Sequence, residues 1–348
     1  MIDKKVNVYL VFTEYQFLQA LNIATGVFNS MDNDNHILLV RKGKRLMHID
    51  ENKRKLADNI GIEIFDNQKP KKLAGIILNK NPTHFLFFQA ISALNVYLGH
   101  TLAKRRTEIS LGPDGYSAYA IFNKSHHFLV TIKNSLKENL FLIKNGLFTG
   151  KFHRFDYYTY GNNRFIDNLW MTHPEQYKHH AKNNVNILKL PEFNEMCLEI
   201  ISECFNFNEK FPTEDAIYFF NQPLWSSLPY IEYDFLKEVL ASYPERKIIL
   251  KLHPLTSDKM KVNYKNLDGL ELIESSVPAE VVLLRLNNCI VFSGWSSVLI
   301  TENKKCNYYF NFPIYRDLND PILKQINIIL LDHIKMVKSP EEMKFPNE

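Results

Sequence analysis

With 348 residues the chain is long enough for two domains of about 100–200 residues each. Its hydrophobic content of 45% is ordinary for a soluble globular protein, and Lys+Arg 42 against Asp+Glu 38 leaves a net +4, too mild a surplus for nucleic acid to be the main partner. The four cysteines, Cys197, Cys204, Cys289 and Cys306, have no CxxC spacing and sit mostly in apolar runs, which argues against a disulfide framework or a zinc site and for reduced core thiols in a cytoplasmic protein.

The opening MIDKKVNVYLVF sets basic residues before an apolar run, as a signal peptide does. The run breaks at Thr13-Glu14 and lacks a small-residue cleavage site. No other stretch approaches the length of uncharged apolar sequence that a transmembrane helix needs. Tyr 17, Phe 25 and Trp 3 make an aromatic excess suited to sugar stacking or interfacial surfaces, although most of these rings belong to a core.

In chain order, Val6-Thr13 reads as a buried strand and Glu14-Phe28 as a helix with apolar residues at helical spacing. His36-Val40 is a strand, Lys53-Asn59 a helix, Ile62-Phe65 a strand, Lys72-Asn79 a helix, His84-Gln89 a strand, Ser92-Ala103 a helix and Glu108-Leu111 a strand. That alternation predicts a parallel, doubly wound sheet. Ser125-Leu142 reads as an amphipathic helix, Phe152-Phe193 as a strand- and loop-rich region holding return strands and the crossover toward the second half, and Asn194-Phe207 as a helix. The alternation then restarts. Ala216-Asn221, Lys247-Leu252, Leu270-Glu274, Cys289-Phe292 and Asn307-Phe310 read as strands, and Tyr230-Ser242, Ala279-Leu286, Ser296-Thr301 and Asp320-Leu331 as helices. The expected architecture is α/β, with residues 1–211 and 212–348 forming two Rossmann-like domains that face a central cleft, the GT-B arrangement; other enzymes and binding proteins also pair two such domains.

Three predicted strand ends carry the candidate chemistry, because ligands of open α/β sheets bind beyond the carboxyl ends of the strands. Asp114 lies in Gly112-Pro113-Asp114-Gly115, which is also an ordinary turn sequence. His253 ends the run KIILKLHP, where Pro254 should stop the strand; a histidine there either caps a turn or faces the ligand. Ser296 and Ser297, in Ser293-Gly294-Trp295-Ser296-Ser297, open a predicted helix and suit either a cap or a phosphate. Gln222 and Pro223, with Asn221, end the first strand of the second half and either contact a ligand or turn the chain. Lys251 is expected to be embedded in its strand with its head reaching the cleft or solvent. The DxD-like run Asp32-Asn33-Asp34 reads as a solvated turn, so no metal site is expected. The pairs His126-His127 and His179-His180 read as surface. The clusters Arg41-Arg45, Lys69-Lys72 and Lys104-Arg106 read as solvated faces that, on a membrane-proximal enzyme, would steer anionic acceptors or lipid headgroups.

Pro113-Asp114-Gly115, His253-Pro254, Ser296-Ser297 and the opening VYLVFTEYQFLQALNIA together resemble the bacterial GT-B sialyltransferases of glycosyltransferase families 38, 52 and 80 and the bacterial polysialyltransferases. Those enzymes share an acidic-acidic-glycine motif in the first domain and His-Pro and Ser-Ser or Ser-Thr motifs in the second. This chain has Pro113 where the family usually has a second acid, which leaves Asp114 as the only carboxylate of the motif. The resemblance implies an inverting, metal-independent transfer of sialic acid from CMP-sialic acid to a hydroxyl of a bacterial surface glycan. In it Asp114 is the general base, His253 stabilises or protonates the departing phosphate, Ser296 and Ser297 hold that phosphate, and Glu280 resembles a ribose-binding glutamate, although its position also suits an exposed acid at a helix start. Gln222, Lys251 and Pro254 would line the nucleotide site. The expected partners are the donor and a glycan acceptor, with no separate cofactor. The expected location is cytoplasmic, peripheral to the inner face of the plasma membrane. Transfer of another CMP-activated ulosonic acid such as Kdo, or binding of a nucleotide or glycan without turnover, would fit the same residues.

Overall fold

A computed structural model describes residues 4–41, 49, 55–89, 92–122, 127–147, 149–155, 160–161, 163–177, 185–208, 210–222, 229–275, 277–294, 296–311, 326–328 and 330–348. The chain divides into two compact units, Met1–Asn206 and Phe207–Glu348. Each is built on its own largely parallel sheet covered by helices, the doubly wound α/β arrangement.

The first unit contains β1 (Lys5–Val11), β2 (Asn33–Arg41), β3 (Lys55–Ala57), β4 (Ile60–Asp66), β5 (His84–Phe87), β6 (Glu108–Leu111), β8 (Asn168–Met171) and β9 (Asn186–Lys189), in the spatial order β3-β4-β2-β1-β5-β6-β8-β9. A further short strand, β7 (Ala120–Phe122), lies outside this sheet. Every pairing is parallel except β3 with β4. The helices are α1 (Glu14–Gly26), α2 (Pro70–Asn79), α3 (Ala93–Ala103), α4 (His127–Lys144), α5 (Pro174–Tyr177) and α6 (Glu195–Cys204). Central strands that bury both faces need continuous apolar sequence, and Val8–Val11 and Phe85–Phe87 supply it without exposure. Helix α1 is buried from Gln16 to Thr25 and packs on α6, so its polar residues find internal partners; the Asn22 amide donates to Pro191 O at 2.8 Å.

Three expectations fail here. Lys53-Asn59 is not a helix: residues 51–54 lie outside the described set, and Lys55–Ala57 pairs antiparallel with β4 through a tight turn at Asp58-Asn59. Pairing with an otherwise open sheet edge overrides a weak helical preference. The run Asp32-Asn33-Asp34 is not a solvated turn, since Asn33 and Asp34 begin β2 and Asn33 is buried, accepting from the Asn7 amide at 3.2 Å. Asp34 pairs with His36 at 3.2 Å. Within Phe152-Phe193, β8 and β9 extend the first sheet in parallel and do not turn back from it.

The second unit has β10 (Ala216–Phe220), β11 (Lys247–Lys251), β12 (Leu270–Ile273), β13 (Cys289–Ser293), β14 (Cys306–Phe310) and β16 (Ile334–Met336), ordered β12-β11-β10-β13-β14-β16 with parallel pairing throughout. Its helices are α7 (Pro229–Ser242), α8 (Asp258–Lys265) and α9 (Ala279–Leu283). One core gathers Phe219, Phe235, Leu236, Leu250 and Phe292, with Phe219 and Phe292 stacked at 4.7 Å between ring centroids. Burying each such ring contributes roughly 1.5–3 kcal/mol. The four cysteines are buried and unbridged.

Two predicted helices differ. Ser296-Thr301 forms one 3-10 turn, Ser297–Ile300, after which Thr301 is extended. The β-branched residues Val298, Ile300 and Thr301 disfavour continuation, and Asn303 fixes the exit by donating to the carbonyls of Leu283 and Leu286 at 2.9 Å each. In Asp320-Leu331, residues 320–325 and 329 lie outside the described set, and Ile326–Ile328 is a short strand, β15, not helix. Its β-branched isoleucines suit extended backbone. Pro223, Trp295, His126, His179 and His180, and residues 42–45 of the Arg41-Arg45 cluster also lie outside the described residues; of His127 only the helical backbone is described.

Candidate functional site

Each unit gathers polar side chains at the carboxyl ends of its central strands. In the first unit β1, β5 and β6 are neighbours, and Gly112 N continues the ladder past β6 by donating to Phe87 O at 2.8 Å. A Cβ on Gly112 would lie 2.4 Å from the Phe88 ring, so only glycine lets the chain pass this close. Gly115 has φ +67, the left-handed turn that sends the chain on. Between them Asp114 is half-buried, and its Oδ1 accepts from Gln16 Nε2 at 2.8 Å. A second amide, from Gln89, also bonds this carboxylate. Burial nevertheless dominates, because desolvation penalises the charged form, and lifts the Asp114 pKa to about 6.

Gln16 is held for this role by the start of α1. Thr13 caps the helix by accepting from Gln16 N at 3.2 Å, and Gln16 Oε1 accepts from Phe12 N at 2.8 Å. That leaves Nε2 aimed at Asp114. Below the turn, the Tyr160 hydroxyl donates to Gly112 O and the Tyr177 hydroxyl to Tyr160 O. Gln16, Gln89 and Tyr160 carry no signal as site residues in the sequence beyond the Thr13-x-x-Gln16 capping pattern.

In the second unit the chain order reverses between β10 and β13, the switch point where such sheets open a crevice. Gln222, after β10, donates from Nε2 to Ser296 Oγ, after β13, at 3.3 Å. Ser293 Oγ ties the same strand ends by donating to Phe220 O at 2.7 Å. Ser296 is buried and caps the 3-10 turn by accepting from Val298 N at 3.3 Å. The turn, Ser297–Ile300, is too short for the helix dipole expected from sequence and offers only hydroxyl and backbone donors at this point.

Ser297 Oγ donates to Glu280 Oε1 at 3.2 Å. Glu280 is not an exposed helix-start acid. It is 2% exposed, and burial raises its pKa to about 7. Lys251 opposes that shift through its charge. Its head does not reach solvent: Lys251 is buried and its Nζ donates to Leu252 O at 3.1 Å and Ser275 O at 2.5 Å. Such carbonyl acceptors satisfy the donors of a lysine head buried in a sheet.

Strand β11 stops at Lys251, two residues before His253, although Leu252 N still donates to Ile273 O at 3.0 Å. His253 and exposed Pro254 form the following turn, closed by Thr256 N donating to His253 O at 2.9 Å. Leu255 N donates to His253 Nδ1 at 3.1 Å, so the neutral imidazole carries its proton on Nε2, as a donor. A buried frame supports the turn: Thr256 Oγ1 donates to Asn221 Oδ1 at 2.6 Å, and Asn221 Nδ2 donates to Glu232 at 2.5 Å. Asn221 therefore faces inward, not toward a ligand. Among the described residues no group of three or more His, Cys, Asp or Glu side chains is placed to hold a metal ion.

The family model described as Alpha-2,8-polysialyltransferase (POLYST) matches residues 12–309. No curated protein sequence matches. Among solved structures, the sialyltransferase from Photobacterium damsela aligns with TM-score 0.54 and 12% identity over 92% of this chain and 78% of its own. The GT-B domain of the Photobacterium damselae sialyltransferase gives 0.53 and 12% over 88% of this chain and 91% of its own. A protein described as a UDP-N-acetylglucosamine 2-epimerase from Listeria monocytogenes gives 0.51 and 11% over 85% and 76%. At these identities the likeness is one of fold, GT-B, which serves transferases and epimerases alike.

Proposed function

This chain belongs to the alpha-2,8-polysialyltransferase family, and from that premise we propose that it transfers sialic acid from CMP-sialic acid to a hydroxyl of a bacterial surface glycan. It is a glycosyltransferase of the sialyltransferase kind, with a nucleotide-sugar donor and a glycan acceptor. The observation that carries the finer reading is Asp114, a carboxyl at a strand end with its pKa lifted to about 6 and its orientation fixed by Gln16. A base works best with a pKa near the operating pH, and this one is ionised at neutral pH yet basic enough to accept a hydroxyl proton.

In the proposed step the acceptor oxygen attacks the anomeric carbon from the face opposite the phosphate, and its proton passes to Asp114. The bond from that carbon to the phosphate oxygen breaks with its electron pair, and CMP departs. The Nε2–H of His253 and the hydroxyls of Ser296 and Ser297 receive the charge that develops on the phosphate. Glu280 and Gln222 hold the nucleotide, with Pro254 beside His253; Lys251 acts from beneath through its charge on Glu280. A monophosphate leaving group needs no divalent ion to neutralise it, so turnover is proposed to persist in EDTA. The proposed location is the cytoplasm, peripheral to the inner face of the plasma membrane.

The test is CMP release from CMP-sialic acid in EDTA, with lactose or a short α-2,8-linked sialic acid oligomer as acceptor. Acceptor-stimulated release supports the reading, and the preferred acceptor separates single transfer from polymerisation. CMP binding without release, or a fully active Asp114→Ala protein, would overturn it.

A further inference from the structure

Helix α4 is turned inside out. Its inward side carries Thr131, Ser135 and Asn139, each 3% exposed, together with Leu142. Ser135 and Asn139 are occupied by the segment that follows the helix. Ser135 Oγ accepts from Phe155 N at 2.9 Å, and Asn139 both donates to His153 O at 2.7 Å and accepts from His153 N at 2.9 Å. The outward side is aliphatic: Ile132, Leu136, Leu140 and Ile143 are 42%, 51%, 55% and 53% exposed. At 3.6 residues per turn these four fall within an arc of about 80°. Lys133, Lys137 and Lys144, all exposed, occupy the next arc of about 40° on one flank. Phe152, 63% exposed, and Lys151 add the same two chemistries on the segment that Asn139 holds.

We propose that the outward face of α4 is an interfacial membrane-docking surface whose partner is an anionic bilayer, with the aliphatic stripe entering the headgroup–acyl boundary and the lysine stripe lying among anionic headgroups. A contiguous aliphatic row is rarely left in water on a monomer without use. A helix lying in a membrane interface needs this pairing of apolar and basic arcs. Charge selects the bilayer over a second copy of the chain. Glu138 is the only acid in α4 and sits on the inward flank, so a copy docking by the same face would offer the lysines no counter-charge. Among the described residues no helix is long and apolar enough to cross a membrane, so attachment through α4 is to one leaflet. This inference deepens the peripheral location proposed above and does not depend on the transfer chemistry.

The experiment is co-flotation of the full chain with vesicles of phosphatidylcholine alone and of phosphatidylcholine mixed with phosphatidylglycerol, with CMP release on a soluble acceptor measured in parallel. The wild type should float with the anionic vesicles and much less with the neutral ones. Leu136→Gln/Leu140→Gln should weaken binding to anionic vesicles about ten- to a hundredfold, the effect of withdrawing two half-embedded leucines. Lys133→Gln/Lys137→Gln/Lys144→Gln should weaken it roughly a hundredfold and leave neutral-vesicle binding unchanged, at about one headgroup attraction per lysine. Neither set touches the candidate catalytic groups, so soluble-acceptor turnover and circular dichroism should match the wild type. Wild type that floats with neither vesicle overturns the proposal. So does unaltered flotation of the leucine variant, or a dimer that the leucine variant dissolves without any vesicle binding. Failure of the transfer reading would show instead as absent CMP release with flotation intact.

Discussion

Asp114→Asn should separate catalysis from stability. An ordinary aspartate titrates near 4, whereas burial holds this one at about 6, so the folded protein binds the proton more tightly than the unfolded chain. The sign follows. Folding gains nothing from this carboxyl at neutral pH; stability falls as pH rises from about 4 to about 6 and stays reduced above that. Two pKa steps at about 1.4 kcal/mol each set an upper bound near 3 kcal/mol, and the half-buried position reduces this to about 1–2 kcal/mol. Asparagine cannot ionise, yet its Oδ1 can still accept the Gln16 amide at the 2.8 Å position. The variant should therefore lose turnover while gaining about 1–2 kcal/mol near pH 7, a rise in melting temperature of roughly 2–6 °C for a unit of this size. Near pH 4 the gain should vanish, because the wild-type carboxyl is then protonated. Urea unfolding at both pH values, followed by a probe in the first unit, measures this. An equal gain at both pH values, or a loss at neutral pH, would refute the account of the burial.

Four further outcomes follow from the same geometry. Gln16→Ala deletes one charge-assisted hydrogen bond to Asp114, so the acid limb of the pH–kcat/KM profile should move up from near 6 by about one unit, and an unmoved limb would disconnect the two residues. Ser296→Ala and Ser297→Ala should each raise the donor KM roughly tenfold, measured by initial rates of CMP release, if both hydroxyls meet the phosphate. Glu280 has its pKa near 7, so wild-type donor affinity should improve as pH rises through neutrality and the carboxylate becomes a better hydrogen-bond acceptor; Glu280→Gln should bind the donor with a flat pH profile, read by calorimetric titration. Asn221→Ala strips the buried Glu232 and Thr256 of a shared partner, costing about 1–3 kcal/mol in denaturant unfolding and raising KM through the loosened His253 turn.

The legible parts of the fold are those where burial on both faces leaves no alternative to apolar sequence. Strands β1, β5, β6, β10, β11 and β13 stand out as runs such as Val8–Val11 and Ile248–Leu250, and the helical spacing between them is enough to imply parallel order. Where an element lies at an edge, local sequence loses to pairing. Lys55–Ala57 has a helical composition and becomes a strand because β4 offers a free ladder. Helix α8 escapes notice for the opposite reason. It buries only Met260 and Tyr264, two positions one turn apart, too few to set up a periodic signal; its cap, Ser257 accepting from Met260 N at 3.4 Å, is the better sign.

At the site, the sequence shows which residue types stand at strand ends but not what holds them. Asp114 is visible as an acid in a turn, but its pKa balances burial, which raises it, against the amide of Gln16, 98 positions earlier in the chain, which holds it down. No local pattern connects them, and the pairing arises because β1 and β6 flank β5, which brings the start of α1 against the end of β6. Glu280 and Lys251 look like solvent-facing charges because charged residues usually are. Their burial follows from their neighbours: Val277, Val281, Val282 and Leu283 carry α9 into the interior, and β11 lies between β10 and β12. Burial in turn makes both groups informative, since a carboxyl near pKa 7 and an ammonium tied to two carbonyls each cost folding free energy. Under the proposed function, the nucleotide that Glu280 would hold beside Ser297, just beyond β13, accounts for that cost.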